Sequence, residues 1–117
     1  MSAIELLHAE DLDVTLAYPE GLHRIAQQGL ASLTPWHLMN RAAAIQRLQG
    51  LRVRYTAKYV PFARRQDNDD IACFDPARPG NVILVHDFSS EGYERRRDFD
   101  SFWDWFRAAV EDMILFE

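Results

Sequence analysis

The stretch YVPFARRQDNDDIACFDPARPGNVILVHD, Tyr59 to Asp87, decides the fold. In its first run Val60 and Phe62 alternate with Tyr59, Pro61 and Ala63, which is the pattern of a strand. Pro61 has no N–H to give to a ladder, so this strand lies at a sheet edge or carries a bulge there. DIACFD is short and apolar between aspartates, and NVILVHD is apolar on both faces from Val82 to Val85. The last run therefore predicts a central strand covered on both sides. Pro79-Gly80-Asn81 is hairpin chemistry, and links this short predict antiparallel pairing.

Downstream, Phe99, Phe102, Trp103, Phe106, Val110, Met113 and Ile114 recur at helical spacing. Ser101 and Asp104 stand as a capping box before that run. YERRRDFD, between strand and helix, mixes both charge signs and reads as a solvated loop or an interface rim. Upstream, YPEGLHRIAQQGL reads as a helix with Pro19 at its start and Gly29 at its stop. NRAAAIQRLQGLRVRY reads as a second, capped by Asn40 and shortened by Gly50. SAIELLHA suggests a further short helix, and LTPWHLM an extended entry at Thr34. The sum is an α+β fold, a single domain over residues 1–117. A small antiparallel sheet of three to four strands is flanked by helices, and the aromatic-rich C-terminal helix packs on it.

With 48% hydrophobic residues in a chain of 117, a core large enough to fold without cross-links is expected. The lone Cys73 excludes an internal disulfide and a multi-cysteine zinc site. No basic-then-apolar leader and no membrane-length apolar run is read, so the cytoplasm is the expected compartment and no membrane partner is expected.

The net charge of −5 is unevenly spread. Glu5, Glu10, Asp11, Asp13 and Glu20 precede a stretch, Gly21 to Gln66, that has no carboxylate but carries Arg24, Arg41, Arg47, Arg52, Arg54, Lys58, Arg64 and Arg65. These basic residues either form a nucleic-acid face or pair with the acidic blocks. On the second helix Arg41 and Arg52 fall beside the apolar face while Arg47 and Arg54 flank its other edge. That is no phosphate-tracking stripe, so pairing within the fold is expected and nucleic acid is not an expected partner.

Asp67, Asn68, Asp69 and Asp70 are suitable ligands for a hard cation, but no EF-hand spacing surrounds them. Asp and Asn also cap their own backbone in turns, which is the reading favoured here. His86-Asp87 end a strand without a second His or Cys to complete a zinc or general-base site. No catalytic, metal or cofactor residue is assigned.

The order VPFARRQDNDDIACFD, GNVILVHDFSSEGYE, DFDSFWDWF resembles the SUKH superfamily. The resemblance rests on Pro61-Phe62-Ala63, the acidic turn Asp67 to Asp70, the run Ile71 to Asp75, Val82 to Val85, and Ser101-Phe102. It covers the second half of the chain well and the first half loosely. It implies a small antiparallel sheet flanked by helices and a non-enzymatic role. Bacterial members are immunity proteins that bind partner toxins, often nucleases; eukaryotic ones are regulatory interaction modules. The expectation is thus a protein-binding domain facing a toxin, with Asp67, Asp69, Asp70, Glu91, Tyr93 and Glu94 toward the partner. The alternatives are a regulatory or scaffolding module, and a metal-dependent hydrolase built on Asp67–Asp70 and His86-Asp87.

Overall fold

Strands that are apolar on both faces need cover on both sides, and helices supply it. The computed structural model describes residues 2–117. In chain order they form α1 (Glu20–Gln27), β1 (Ser32–Leu33), β2 (Trp36–Leu38), α2 (Arg41–Arg54), β3 (Val60–Arg65), β4 (Asp70–Phe74), β5 (Val82–His86), β6 (Arg95–Phe99) and α3 (Phe102–Leu115). The class is α+β: three α-helices and one antiparallel sheet of six strands in the order β1-β2-β3-β4-β5-β6.

Side-chain alternation divides the sheet into two apolar faces. Trp36, Phe62 and Phe74 point to one side, where α3 lays Phe102 and Trp105 on them. Helix α1 packs beside α3. Gly21 permits that approach, because a Cβ there would stand 2.7 Å from Phe102 and 2.8 Å from Trp103. Ile71, Cys73, Ile83 and Val85 face the other side, under α2, which buries Ala44, Leu48 and Leu51. Burial pushes the Cys73 thiol well above its usual pKa, as expected of an inert core cysteine.

Pro61 sits on an interior strand, not an edge. The β3–β4 register shifts between Pro61 and Ala63, so a bulge accommodates the missing N–H. The sheet has more strands than the expected three or four. LTPWHLM closes the tight β1–β2 hairpin, and the arginine run before α3 is strand β6, not a loop. Both have weak apolar alternation because they border solvent. Phe99 ends β6 instead of joining the helix. In α3 the buried stripe is Phe102, Trp105 and Ala109, while Met113 and Ile114 are exposed. Gly50 does not end α2, which continues to Arg54. Both N-caps form, Asn40 Oδ1 accepting from Ala43 N–H and Ser101 Oγ from Asp104 N–H, but the box at Ser101 is half made, because the Asp104 carboxylate takes Arg107 instead of Ser101 N–H.

SAIELLHA is not a helix. The N-terminal segment is a strap with one short 3-10 turn, Ala9–Asp11. It joins α1 through Ile4 N–H to the Ala26 carbonyl, then crosses to α2. There Arg41 grips Asp11 with two hydrogen bonds of 2.8 and 2.9 Å, and Arg52 grips Asp13 with two of 2.6 and 2.8 Å. The acidic and basic blocks of the sequence therefore pair within the fold. Hydrogen bonds from these arginines lower the pKa of both Asp11 and Asp13 to about 2. An unfolded aspartate titrates near ~3.9, so protons bind the unfolded chain first as pH falls. The strap's contribution is fully present above about pH 4 and is lost as pH drops toward 2. Urea titrations across that window should show falling stability, with a shallower fall in Asp11→Asn/Asp13→Asn. Equal slopes for the two proteins would separate the strap from acid unfolding.

Candidate functional site: an aromatic loop anchored by a buried carboxylate

The loop between β5 and β6 is held at every few residues. Asp87, buried, leaves β5 on the face that α2 covers. It accepts from Arg47 Nη1 at 2.9 Å and from Arg54 Nε and Nη2 at 2.7 and 2.6 Å. Phe88 N–H also donates to it, at 2.8 Å. Burial works to raise the Asp87 pKa, but the hydrogen bonds from Arg54, Arg47 and Phe88 outweigh it and hold the group below the ordinary aspartate value. Further along, Tyr55 donates to the Ser89 carbonyl, Thr56 N–H to Glu91, and Tyr59 to Glu94. Asp87 N–H donates to the Asp69 carbonyl, so the β3–β4 turn and this loop share one end of the sheet.

Two aromatic side chains leave this rigid frame for solvent. Phe88 is 63% exposed and Tyr93 80% exposed. Phe88 has φ +66°, the one positive φ at a non-glycine among the described residues. Arg54 lies over its ring at 4.2 Å. Next to Arg54, Val53 is also exposed.

The expected partner-facing residues divide. Tyr93 projects outward. Asp69 is exposed, with neither an ion pair nor a side-chain hydrogen bond among the described residues. Asp67 is exposed but pairs with Arg65 at 2.7 Å, which lowers its pKa. Asp70 bonds His86 Nδ1 at 2.6 Å, and Glu91 is tied to Thr56. Glu94 is buried, its carboxylate occupied by Tyr59 and Gly92 N–H, so it supports the loop from within. Asn68 accepts from Asp70 N–H, the side-chain-to-backbone bond expected of a turn former.

Asp67, Asp69, Asp70, His86 and Asp87, the groups the hydrolase alternative needs, do not converge. Asp70 and His86 are cross-strand partners on one face, Asp87 is on the other, and Asp67 belongs to Arg65. Among the described residues no three His, Cys, Asp or Glu side chains gather to hold a metal ion. No helix among them is long and apolar enough to cross a membrane.

Comparison with family models, curated proteins and solved structures gives no significant match to this chain. The site therefore rests on its geometry. Arg47, Arg54, Gly50 and Phe88 were not singled out as site residues from the sequence, although seven residues make two helical turns and put both arginines on one edge of α2. Beside them, α2 and β3 enclose an open cleft of about 360 Å³, whose lining includes Met39, Gln46, Gly50 and Arg64.

Gly50 leaves room for Arg54 to fold back. A Cβ at this position would stand 2.7 Å from Nη2 and 2.9 Å from Nη1 of Arg54. Gly→Ala inside a helix ordinarily stabilises by ~0.5–1 kcal/mol. Gly50→Ala is expected to forfeit that gain, because the guanidinium must retreat from Asp87. Urea unfolding reads this directly, and a variant stabilised by the usual amount would show that Arg54 reseats freely.

Proposed function

We propose that this chain is a non-enzymatic protein-binding domain of the SUKH immunity type, acting in the cytoplasm on a partner toxin domain. Phe88 carries the binding part of this reading. A large aromatic is held outward at positive φ by a buried carboxylate and a stacked guanidinium. Such backbone persists only where its surroundings over-determine it, and it clusters at binding sites. Arg54 over its ring and Tyr93 on the same loop are of the types that dominate interface hot spots. The loop is already ordered by its bonds to α2 and β3, so little conformational freedom is left to lose on docking. The toxin-directed part draws on the resemblance at Pro61–Ala63, Asp67–Asp70 and Val82–Val85, and on charge. The chain's net −5, with Asp69 exposed, suits long-range steering of a basic partner such as a nuclease, while the contact at Phe88 itself is made beside the Arg54 guanidinium.

Co-expression with the toxin domain of a neighbouring gene tests this. Protection of the cells and a stable complex are expected. Phe88→Ala/Tyr93→Ala should weaken the complex by about 30-fold, the scale of a hot-spot loss of ~2 kcal/mol. Absence of protection against every neighbouring toxin would overturn the immunity reading.

A further inference from the structure

We propose that the cleft between α2 and β3 is a binding site for a phosphate monoester, with Arg64, Arg47 and Arg54 as its anion-recognising groups and Phe88 as an apolar wall. The inference goes beyond the protein-binding role and holds whether or not the loop docks a protein.

Charge is the first argument. Four basic residues of the acid-free stretch pair with carboxylates away from the cleft: Arg41 with Asp11, Arg52 and Lys58 with Asp13, Arg65 with Asp67 and Asp112. Arg24 lies over the Trp103 ring. The cleft gathers the other three. Arg47 and Arg54 share the single carboxylate of Asp87, and Arg64 makes no salt bridge among the described residues. Three guanidiniums against one carboxylate leave two positive charges in excess, in a chain whose net charge is −5. No Asp or Glu lines the cleft. A phosphate monoester carries ~1.5–2 negative charges at neutral pH, which matches that excess better than a single carboxylate does.

Donor geometry is the second. Arg47 gives Asp87 one nitrogen, and Arg54 gives it Nε and Nη2. Each guanidinium has five N–H donors, so Arg47 and Arg54 keep donors for a second oxyanion and Arg64 keeps all of its own. Asp87 holds the first two in place before any ligand arrives. That is the preorganisation an anion site needs, and it avoids the ordering cost of free arginine side chains. The amide of Gln46 adds a neutral donor.

Shape is the third. A volume of about 360 Å³ lies within the range of small-molecule sites, which begins at ~300 Å³. Met39, Ala43, Gly50 and Phe88 supply apolar wall, so the ester's organic group has a surface to lie on. The β2–β3 pairing sets Arg64 opposite His37, and β3 is an interior strand, which fixes the position of the arginine backbone.

Isothermal calorimetry on the intact chain tests the proposal with three probes: inorganic phosphate, a nucleoside monophosphate and O-phosphoserine. Saturable binding of the nucleotide or of O-phosphoserine is expected, tighter than that of inorganic phosphate. Arg64→Ala should weaken it about tenfold or more without lowering the melting temperature, because Arg64 has no ion pair to lose. Arg107→Ala, a charge removed from α3 on the opposite face, should leave it unchanged. Tighter binding of the nucleotide, reduced to the phosphate level by Phe88→Ala, would identify a nucleotide. Tighter binding of O-phosphoserine would identify a phosphorylated amino acid. The proposal is overturned if neither monoester binds saturably, or if Arg64→Ala binds as well as the unaltered chain.

Discussion

Asp87→Ala is expected to destabilise the domain by about 3 kcal/mol, the low end of the ~3–5 kcal/mol seen when one partner of a buried ion pair is removed. The low end applies because the two arginines are not fully enclosed. Their side chains are 27% and 26% exposed, so they recover part of their hydration from the cleft once the carboxylate is gone. The rest of the cost is local. Phe88 N–H loses its acceptor at a backbone position already strained by φ +66°, and Arg54 loses the bond that holds it over the Phe88 ring. Asp87→Asn separates the parts: it keeps an oxygen for Phe88 N–H but gives up the charge, and it should fall between the two. Urea unfolding with hydrogen exchange at residues 88–94 checks both effects. If Asp87→Ala is as stable as the unaltered chain, the carboxylate anchors neither the loop nor the arginines. If stability falls but exchange in the loop does not rise, Tyr55, Thr56 and Tyr59 suffice to hold it.

The main architecture is legible in the sequence wherever burial is one- or two-sided and the caps are local. Apolar runs at Val60, Ile71 and Val82 each gave a strand, Asn40 and Ser101 each cap a helix, and the charge blocks pair as expected. Failures fall where local pattern and tertiary setting disagree. Strand β6 is four charged or polar residues ending in Phe99, and only pairing with β5 makes it a strand. β1 and β2 are too short for any period to show. At the candidate site, Tyr93 and Asp69 are exposed, while Glu94, expected to face a partner, is turned inward by Tyr59. A carboxylate between strand and loop does not announce its direction. Asp87 was likewise legible as a strand-end acid, but its partners, forty and thirty-three residues away in the chain, were not.

Trp105→Ala is expected to cost about 3–5 kcal/mol, the usual range for deleting a large buried aromatic. Trp105 is the centre of the α3–sheet interface. It meets Trp36 edge-on at 5.6 Å, Phe62 edge-on at 4.9 Å, and Phe102 at 5.7 Å. The sequence favours a different stripe, through Trp103, Phe106 and Met113, because α3 is apolar around most of its girth. Tertiary contact decides: Trp103 lies against Gly21 of α1, and the last turn extends past the cover that the core offers. The indole brings its own cost, since Nε1–H is buried and finds no hydrogen-bond partner among the described residues. An unsatisfied buried donor costs ~1–3 kcal/mol, which offsets part of the packing that the larger ring provides. Trp105→Phe removes that donor and keeps an edge-on ring, so its cost should be below about 1.5 kcal/mol, the scale of a conservative core exchange. Urea midpoints of the two variants give the comparison. Equal, large losses would mean that the indole's full volume is needed and that its N–H carries no penalty. A small loss for Trp105→Ala would mean that α3 seats on the sheet through Phe102 and Ala109 alone.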